Sequence, residues 1–349
     1  MKLFKKKLLV ILIIFFKTGN LLSDNNLFNV NNILVEKKEK ETNQQLANRA
    51  IKKGFDQLIE RILLNKDKQL ISDISFTRIN DLVKFYKISK NFEISNNSVN
   101  FNITFDKNKL HNLFYEKEIS YSDINDKDFY ILPIFIKDDE IFIFSNNYFY
   151  ENWNKENSDK SLIDFILPLE NIEIIQTINR FRGNLLELNL KNIFKEYQDK
   201  NIALALIENK NLESERVYLR AQIQNKIISK NLIINKKNLE QNQFEEKIIF
   251  TIKDEIINLI KAENLINLRT PSFLNVEYNL DKKNNLVLLN SKIKNIELIE
   301  NIFVQEFNKE NVSLKIKYLG KLDKVLEMLK KENIKLELIS DKWIINITQ

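Results

Sequence analysis

The sequence predicts an α+β or mixed α/β protein of two or three small domains, each with a sheet packed by helices. Three observations lead to this fold class. Strand-like and helix-like segments alternate along the chain. The length of 349 residues, at roughly 150 residues per domain, suits two domains or three small ones. Only 4 Gly and 3 Pro occur, which argues against propellers and Gly-dependent nucleotide folds.

The N-terminus has the pattern of an export signal. Residues 1–7 carry four lysines and no acid, and residues 8–16 form an unbroken apolar run. This run is shorter than the roughly 17 residues that a membrane-spanning helix needs. We therefore predict a signal peptide at residues 1–23. Residues 18–23 contain no clear cleavage site, so the alternative is an uncleaved N-terminus that anchors the chain.

An N-terminal α/β domain is predicted at residues 24–122. Its helix carries Ala47, Ala50 and Gly54 on one apolar stripe, and these small residues predict close packing on a sheet. Strict alternation in residues 98–105 indicates a strand with one buried face. The expected elements are strand 27–35, helix 43–64, a short helix or turn in 70–82, hairpin strands 84–94 and 98–105, and a helix that Asp106 caps and that runs to Tyr115.

A central mixed α/β domain is predicted at residues 128–264. Residues 129–136 form a nearly continuous apolar run, which is typical of a strand buried on both faces. The other expected elements are a strand at 141–144, a short buried segment at 165–169, a helix at 184–197, a strand at 202–207, hairpin strands 216–223 and 226–233, and a long helix at about 241–263.

A C-terminal α+β domain is predicted at residues 271–349, with a ferredoxin-like order of elements. The expected elements are strands at 273–280, near 286–289 and at 311–318, a helix at 320–332, and a final hairpin of 334–339 and 343–347.

The inventory of reactive side chains is small. The chain has no Cys, which excludes disulfides, thiolate metal sites and cysteine nucleophiles. It has one His, His111, which its apolar neighbours indicate to be a half-buried surface residue and not a catalytic base. No phosphate-binding loop occurs. We predict no catalytic residue, no cofactor and no metal ligand, and the alternative is a carboxylate-dependent hydrolase of cell-wall glycan.

The net charge of +6 comes mainly from the N-terminus. Residues 1–23 hold five lysines and no acid, so their removal leaves a net charge of +1. Elsewhere lysines interleave with acids, as in residues 36–41. No basic stripe emerges, and we expect no nucleic-acid partner.

The most unusual segment is residues 142–153, which holds six aromatic side chains in twelve residues. The first interpretation is a block of core residues at a junction of strand and helix. The alternative is a surface patch that binds a partner or ligand, since aromatic anchors dominate interface energetics. The candidate partner-binding residues are Phe144, Tyr148, Phe149, Tyr150 and Trp153.

The order of these segments resembles the bacterial domain-of-unknown-function family 2066, a family of exported Gram-negative proteins. In that family a Val-Leu-Pro-Val-type strand precedes a Leu-Trp-x-x-x-Asn-Pro-Trp-x-x-Ala-Trp segment and then a Pro-Leu-Gly-Asp-Leu-x-Asp segment. Here the strand reads Ile131-Leu132-Pro133-Ile134, the second segment includes Phe144, Asn147-Tyr148-Phe149 and Trp153, and the third begins at Pro168-Leu169. Phe replaces Trp at 144 and 149, Tyr replaces Pro at 148, and Asn replaces Asp at 171.

The resemblance covers nearly the whole chain beyond the signal, including the helix with Ala47 and Ala50 and the closing segment from Tyr318 to Trp343. It implies an accessory role in the cell envelope and assigns no site residue. We therefore expect a non-catalytic periplasmic protein that binds an envelope protein partner. Membrane contact is expected only through an uncleaved N-terminus, which is the alternative of a protein attached to the inner membrane.

Overall fold

The computed structural model describes residues 27–89, 98–124, 126–155, 162–197, 199–211, 214–280, 286–339 and 342–348. The predicted signal peptide and the predicted hairpin turn at 95–97 lie outside these ranges. The chain divides into two compact units, Met1–Ile119 and Ser120–Gln349. The described residues form four sheets packed with helices, so the predicted mixed α/β class is confirmed.

The first unit contains a three-stranded antiparallel sheet of order β1-β3-β2. Its strands are β1 (Asn29–Glu36), β2 (Val83–Ser89) and β3 (Ser98–Phe105). Its helices are α1 (Asn43–Ile62), α2 (Phe76–Asp81) and α3 (Lys107–Glu116), with a 3-10 turn at Lys68–Ile71. Asp106 caps α3 by accepting a hydrogen bond from the backbone N–H of Lys109, as the sequence predicts.

Helix α1 lies directly on this sheet. Thr42 and Gln45 form a capping box at its start. A Cβ atom at Gly54 would lie 2.8 Å from Cδ1 of Ile33 and 3.0 Å from Cδ1 of Ile103, which are on β1 and β3. A larger residue here would require the ends of these isoleucine side chains to shift, and the predicted close packing is confirmed.

The second unit contains a six-stranded sheet of order β10-β9-β8-β5-β6, in which β7 also pairs with β5. Strand β5 is parallel to β7 and β8, and both of its faces are buried as predicted. The strands are β5 (Asp128–Lys137), β6 (Glu140–Phe142), β7 (Asp164–Ile166), β8 (Asn201–Asn211), β9 (Ser214–Ile223) and β10 (Lys226–Asn235). Two short strands, β4 (Tyr121–Ser122) and β11 (Leu265–Ile266), pair with each other.

Different helices cover the two faces of this sheet. One cluster of buried side chains, named the α7-side core, includes Phe244, Ile252 and Ile256 of the helix at 241–263. The other, named the α5-side core, includes Ile174 and Ile178 of the helix at 172–180. The helices are α4 (Tyr148–Asn152), α5 (Ile172–Arg180), α6 (Leu190–Ile193) and α7 (Gln241–Glu263). The predicted bounds of α7 are confirmed. The predicted helix at 184–197 is wrong, because that stretch is broken into α6 and two 3-10 turns, Leu185–Glu187 and Lys195–Tyr197, while α5 was not predicted.

The second unit also contains a five-stranded sheet of order β13-β14-β12-β16-β15. Its elements are β12 (Ser272–Asn279), α8 (Leu286–Ile293), β13 (Ile299–Phe307), β14 (Asn311–Tyr318), α9 (Leu322–Lys331), β15 (Ile334–Ile339) and β16 (Lys342–Ile347). The first six follow the ferredoxin-like order, and β16 inserts between β12 and β15, parallel to β12. The predicted strand near 286–289 is wrong, because Leu289 and Ile293 are buried at a helical spacing on α8.

Candidate functional site

The aromatic segment 142–153 runs from β6 through α4 and contributes to both cores of the central sheet. Phe149 and Trp153 are buried in the α7-side core, each with 1% of its surface exposed. Phe144 is buried in the α5-side core. These three of the five candidate residues therefore present no binding surface, since their rings fill the core. The interpretation as a core block at a junction of strand and helix fits them.

Asn147 holds this junction together. Its side chain is fully buried, and its amide nitrogen donates to the carbonyl oxygens of Pro133 at 2.9 Å, Phe142 at 3.0 Å and Ile143 at 2.8 Å. Its Oδ1 accepts from the backbone N–H groups of Phe149 and Tyr150 and thereby caps α4. One side chain thus joins β5, the end of β6 and α4.

The remaining two candidates, Tyr148 and Tyr150, are half-buried. Tyr148 packs against the α7-side core and Tyr150 against the α5-side core. The ring of Tyr150 lies edge-on to Phe144 at 5.1 Å, and its hydroxyl donates to the carbonyl oxygen of Pro168 at 2.9 Å. Burial and the carboxylate of Glu170 raise the pKa of Tyr150.

The segment that Tyr150 contacts carries two large apolar side chains in solvent. Leu169 is 83% exposed and Ile172, the first residue of α5, is 71% exposed. Between them, Asn171 caps α5 by accepting from the backbone N–H of Glu173. The prediction that residues 165–169 form a buried segment is therefore wrong for Leu169.

A polar cluster lies where α9 begins. The side chain of Lys324 is 14% exposed, and its ammonium donates to the backbone carbonyl of Asp123 and lies 4.0 Å from Oδ2 of the same residue. Nearby, Lys321 donates to Gln224 at 2.8 Å, and Gln224 donates to Asn264 at 2.9 Å. Burial lowers the pKa of Lys324, and Asp123 opposes that effect.

Burial together with a lowered pKa can prepare a lysine for nucleophilic or base chemistry. Here the Asp123 carbonyl accepts from the amine, and the chain of contacts connects α9 with β4 and with the hairpin turn between β9 and β10. The arrangement therefore fits a structural connection within the second unit.

Glu215 on β9 is a buried carboxyl at the edge of the α7-side core. Only 2% of the residue is exposed. Its Oε1 accepts a long hydrogen bond of 3.5 Å from Asn209. Burial and the charge of Glu245 raise its pKa to about 7, and Lys236 opposes this shift. Sequence reasoning missed this residue because the predicted strand began at Arg216, although Glu215 continues its alternating apolar face.

His111 is also buried, with 9% of its surface exposed, and its ring lies edge-on to Phe28 at 5.7 Å. Within the described ranges, no group of three or more His, Asp or Glu side chains is placed to hold a metal ion. Among the helices of the described residues, none is both long and apolar enough to cross a membrane.

Comparison with known proteins identifies no family for this chain. No protein-family model and no curated protein matches the chain. One solved structure, described as that of an uncharacterized protein, has 7% sequence identity and a TM-score of 0.16; the match covers 40% of this chain and 99% of that one.

Proposed function

We propose that this chain is a non-catalytic accessory protein of the cell envelope that binds an envelope protein through the surface formed by Leu169 and Ile172. The observation that carries the proposal is that both large apolar side chains stay in solvent although they flank an ordered, capped helix start. Apolar side chains are typical anchors at protein interfaces. The resemblance to family 2066 favours the envelope as the location.

Tyr150 holds the backbone next to this surface in place. Its hydroxyl fixes the carbonyl of Pro168, the residue before Leu169. Its ring contacts Phe144 in the α5-side core. Tyr150 therefore positions the surface, and the partner contact itself falls to Leu169 and Ile172. A surface that is already ordered loses less conformational entropy on binding.

The test is site-specific photo-crosslinking in the cells that produce the protein. A photoreactive phenylalanine analogue replaces Leu169 or Ile172 in separate variants. The matched control replaces Phe250, a 70% exposed side chain on α7. We expect a crosslinked envelope protein at positions 169 and 172 and not at 250. Equal products at all three positions, or none at 169 and 172, contradict the proposal.

Export is tested separately from binding. The proposal expects the purified periplasmic protein to begin near residue 24, as measured by the mass of its N-terminal peptide. A protein that keeps Met1 and stays in the membrane fraction supports the anchored alternative.

Release of sugar from purified peptidoglycan by the protein would contradict the non-catalytic role.

A further inference from the structure

The six-stranded sheet ends on one side at β10, which pairs only with β9 among the described strands. The pairing continues without a shift over ten residue pairs, from Lys226–Ile223 to Asn235–Ser214. Proteins normally protect such edges with bulges, short strands, prolines or charges. A long edge without a bulge is a place where another strand can add.

Most other edge strands of the described sheets are irregular or shorter. The pairings of β1, β2 and β13 each contain a shift in register. Strand β6 has three residues, and the regular ladder of β15 covers six residue pairs. With ten unshifted pairs, β10 has the longest regular ladder among these edge strands.

The charges of β10 do not block its edge. Its two charged side chains are Lys226 and Lys230. Lys226 pairs with Glu263 at 2.8 Å and Lys230 with Glu255 at 3.6 Å, and both acids are on α7. The positive charges are thus neutralised within the same molecule, so approach of another strand meets little repulsion.

The turn before β10 determines which backbone groups face outward. Gln224 and Asn225 have φ angles of 49° and 65°, as in a two-residue type I′ turn. In this turn the flanking residues Ile223 and Lys226 form a hydrogen-bonded pair, and bonded pairs then alternate along the ladder. The N–H and C=O groups of Ile227, Ser229, Asn231 and Ile233 therefore point away from β9.

We propose that β10 pairs antiparallel with β10 of a second copy of this chain, about a two-fold axis at Asn231. In this register Asn231 faces Asn231, Ser229 faces Ile233, and Lys230 faces Leu232. The outward backbone groups of Ser229, Asn231 and Ile233 then find partners. Within β10 this register places no like charges opposite each other, whereas a register centred one residue earlier places Lys230 against Lys230, which is unfavourable. The result is one continuous sheet across two molecules.

The absence of cysteine from the chain allows a precise test. In the proposed register, the two Asn231 Cα atoms are about 5.5 Å apart, as in any hydrogen-bonded antiparallel pair. This distance suits a disulfide. Under mild oxidation, full-length Asn231→Cys is expected to form a covalent dimer on a non-reducing gel.

Ser229→Cys is the matched control, because its two copies would lie about 14 Å apart along the strands. It forms no covalent dimer alone and forms one when mixed with Ile233→Cys. Equal crosslinking of Asn231→Cys and Ser229→Cys overturns the register.

A second variant tests the interface without cysteine. Asn231→Pro removes an outward N–H, which an edge strand tolerates within its own sheet. We expect sedimentation equilibrium to show a dimer for the wild type and for Asn231→Ala. We expect a dissociation constant about 100-fold higher for Asn231→Pro, from loss of pairing bonds in both copies.

The proposal is overturned if the wild type is monomeric at about 100 µM, a concentration well above typical dissociation constants. It is also overturned if Asn231→Pro has a wild-type circular dichroism melt and dimerises normally. If Asn231→Pro fails to fold, the cysteine variants alone decide. A monomeric chain that binds an unrelated extended peptide along β10 excludes the second copy as the occupant.

Discussion

The two faces of the central sheet are covered in different ways. One face is covered mainly by α7, a helix of 23 residues, to which the α4 segment adds Phe149 and Trp153. The other is covered by α5 and α6, with nine and four residues, and by 3-10 turns. A helix this short is unstable alone in water, so α5 and α6 depend on their asparagine caps and on packing. The α5 side therefore relies on several short elements where the α7 side relies mainly on one long helix, and the exposed Leu169 and Ile172 lie on the α5 side.

The largest expected effect on the free energy of unfolding comes from removing one buried aromatic ring from each core. Trp153→Ala removes a fully buried ring from beneath the long helix and is expected to cost about 4–5 kcal/mol of unfolding free energy. Phe144→Ala is expected to cost about 3 kcal/mol, because the short elements can relax into the cavity. Urea denaturation measures both values. A loss of unfolding free energy for Phe144→Ala that equals or exceeds that for Trp153→Ala contradicts the expected difference between the two faces.

The next effect concerns the residue shared by both faces. Asn147→Ala leaves three carbonyl oxygens and two backbone N–H groups without the partner they have now. We expect a loss of about 3 kcal/mol in urea denaturation. Asn147→Asp keeps the two accepted bonds but places a buried carboxyl group against the three carbonyl oxygens, so it is expected to cost at least as much as the alanine variant. A loss below about 1 kcal/mol for the alanine variant would falsify the role of Asn147 as the junction.

A pH effect is expected on the α7 side. The folded-state pKa of Glu215 is about 7, above its ordinary value of 4.5, so the folded state holds a proton that the unfolded state releases. Stability is therefore highest below pH 4.5 for this group and falls as the pH rises toward 7. The full shift corresponds to roughly 3 kcal/mol, and screening by solvent reduces it to about 2 kcal/mol.

Glu215→Gln is expected to remove this dependence, measured as the free energy of unfolding in urea at pH 5 and pH 8. Glu246→Gln, an exposed carboxylate on α7, is the matched control and keeps the wild-type difference between the two pH values. An unchanged difference in Glu215→Gln contradicts the assignment.

The smallest effect concerns the surface on the α5 side. Tyr150→Phe removes only the hydroxyl that donates to Pro168 and is expected to cost about 1 kcal/mol. Hydrogen exchange at residues 169–173 should quicken, while exchange in α7 stays the same. Tyr115→Phe, an exposed tyrosine in the first unit, serves as the control. Equal quickening in α7 would show that the two faces open together.

Elements with their own periodic pattern were predictable. The alternation in β3, the small residues of α1 and the apolar stripe of α7 each specify a buried face without knowledge of the partner. Helix α5 and strand β13 were missed, because α5 is short and seven of the nine residues of β13 are exposed. An apolar run such as residues 286–289 fits strand and helix equally, and packing decided for the helix.

The candidate site was also predictable only in part from the sequence. The sequence identified the aromatic segment, and it offered both core and surface as interpretations. Burial of Phe144, Phe149 and Trp153 required the two faces of the sheet to be known, because consecutive residues of one segment enter opposite cores. The exposure of Leu169 and the contact of the neighbouring Pro168 with Tyr150 were not predicted, because they depend on how separate segments pack.

Composition and local hydrophobic periodicity are enough to predict the mixed α/β class, the long helices and strands, and the small number of reactive side chains. The insertion of β16 between β12 and β15, the burial of Glu215, the half-buried position of Lys324 and the regular edge at β10 among the described strands appear only in the tertiary structure. These features depend on pairing between segments far apart in the chain, and no local pattern records which segments meet.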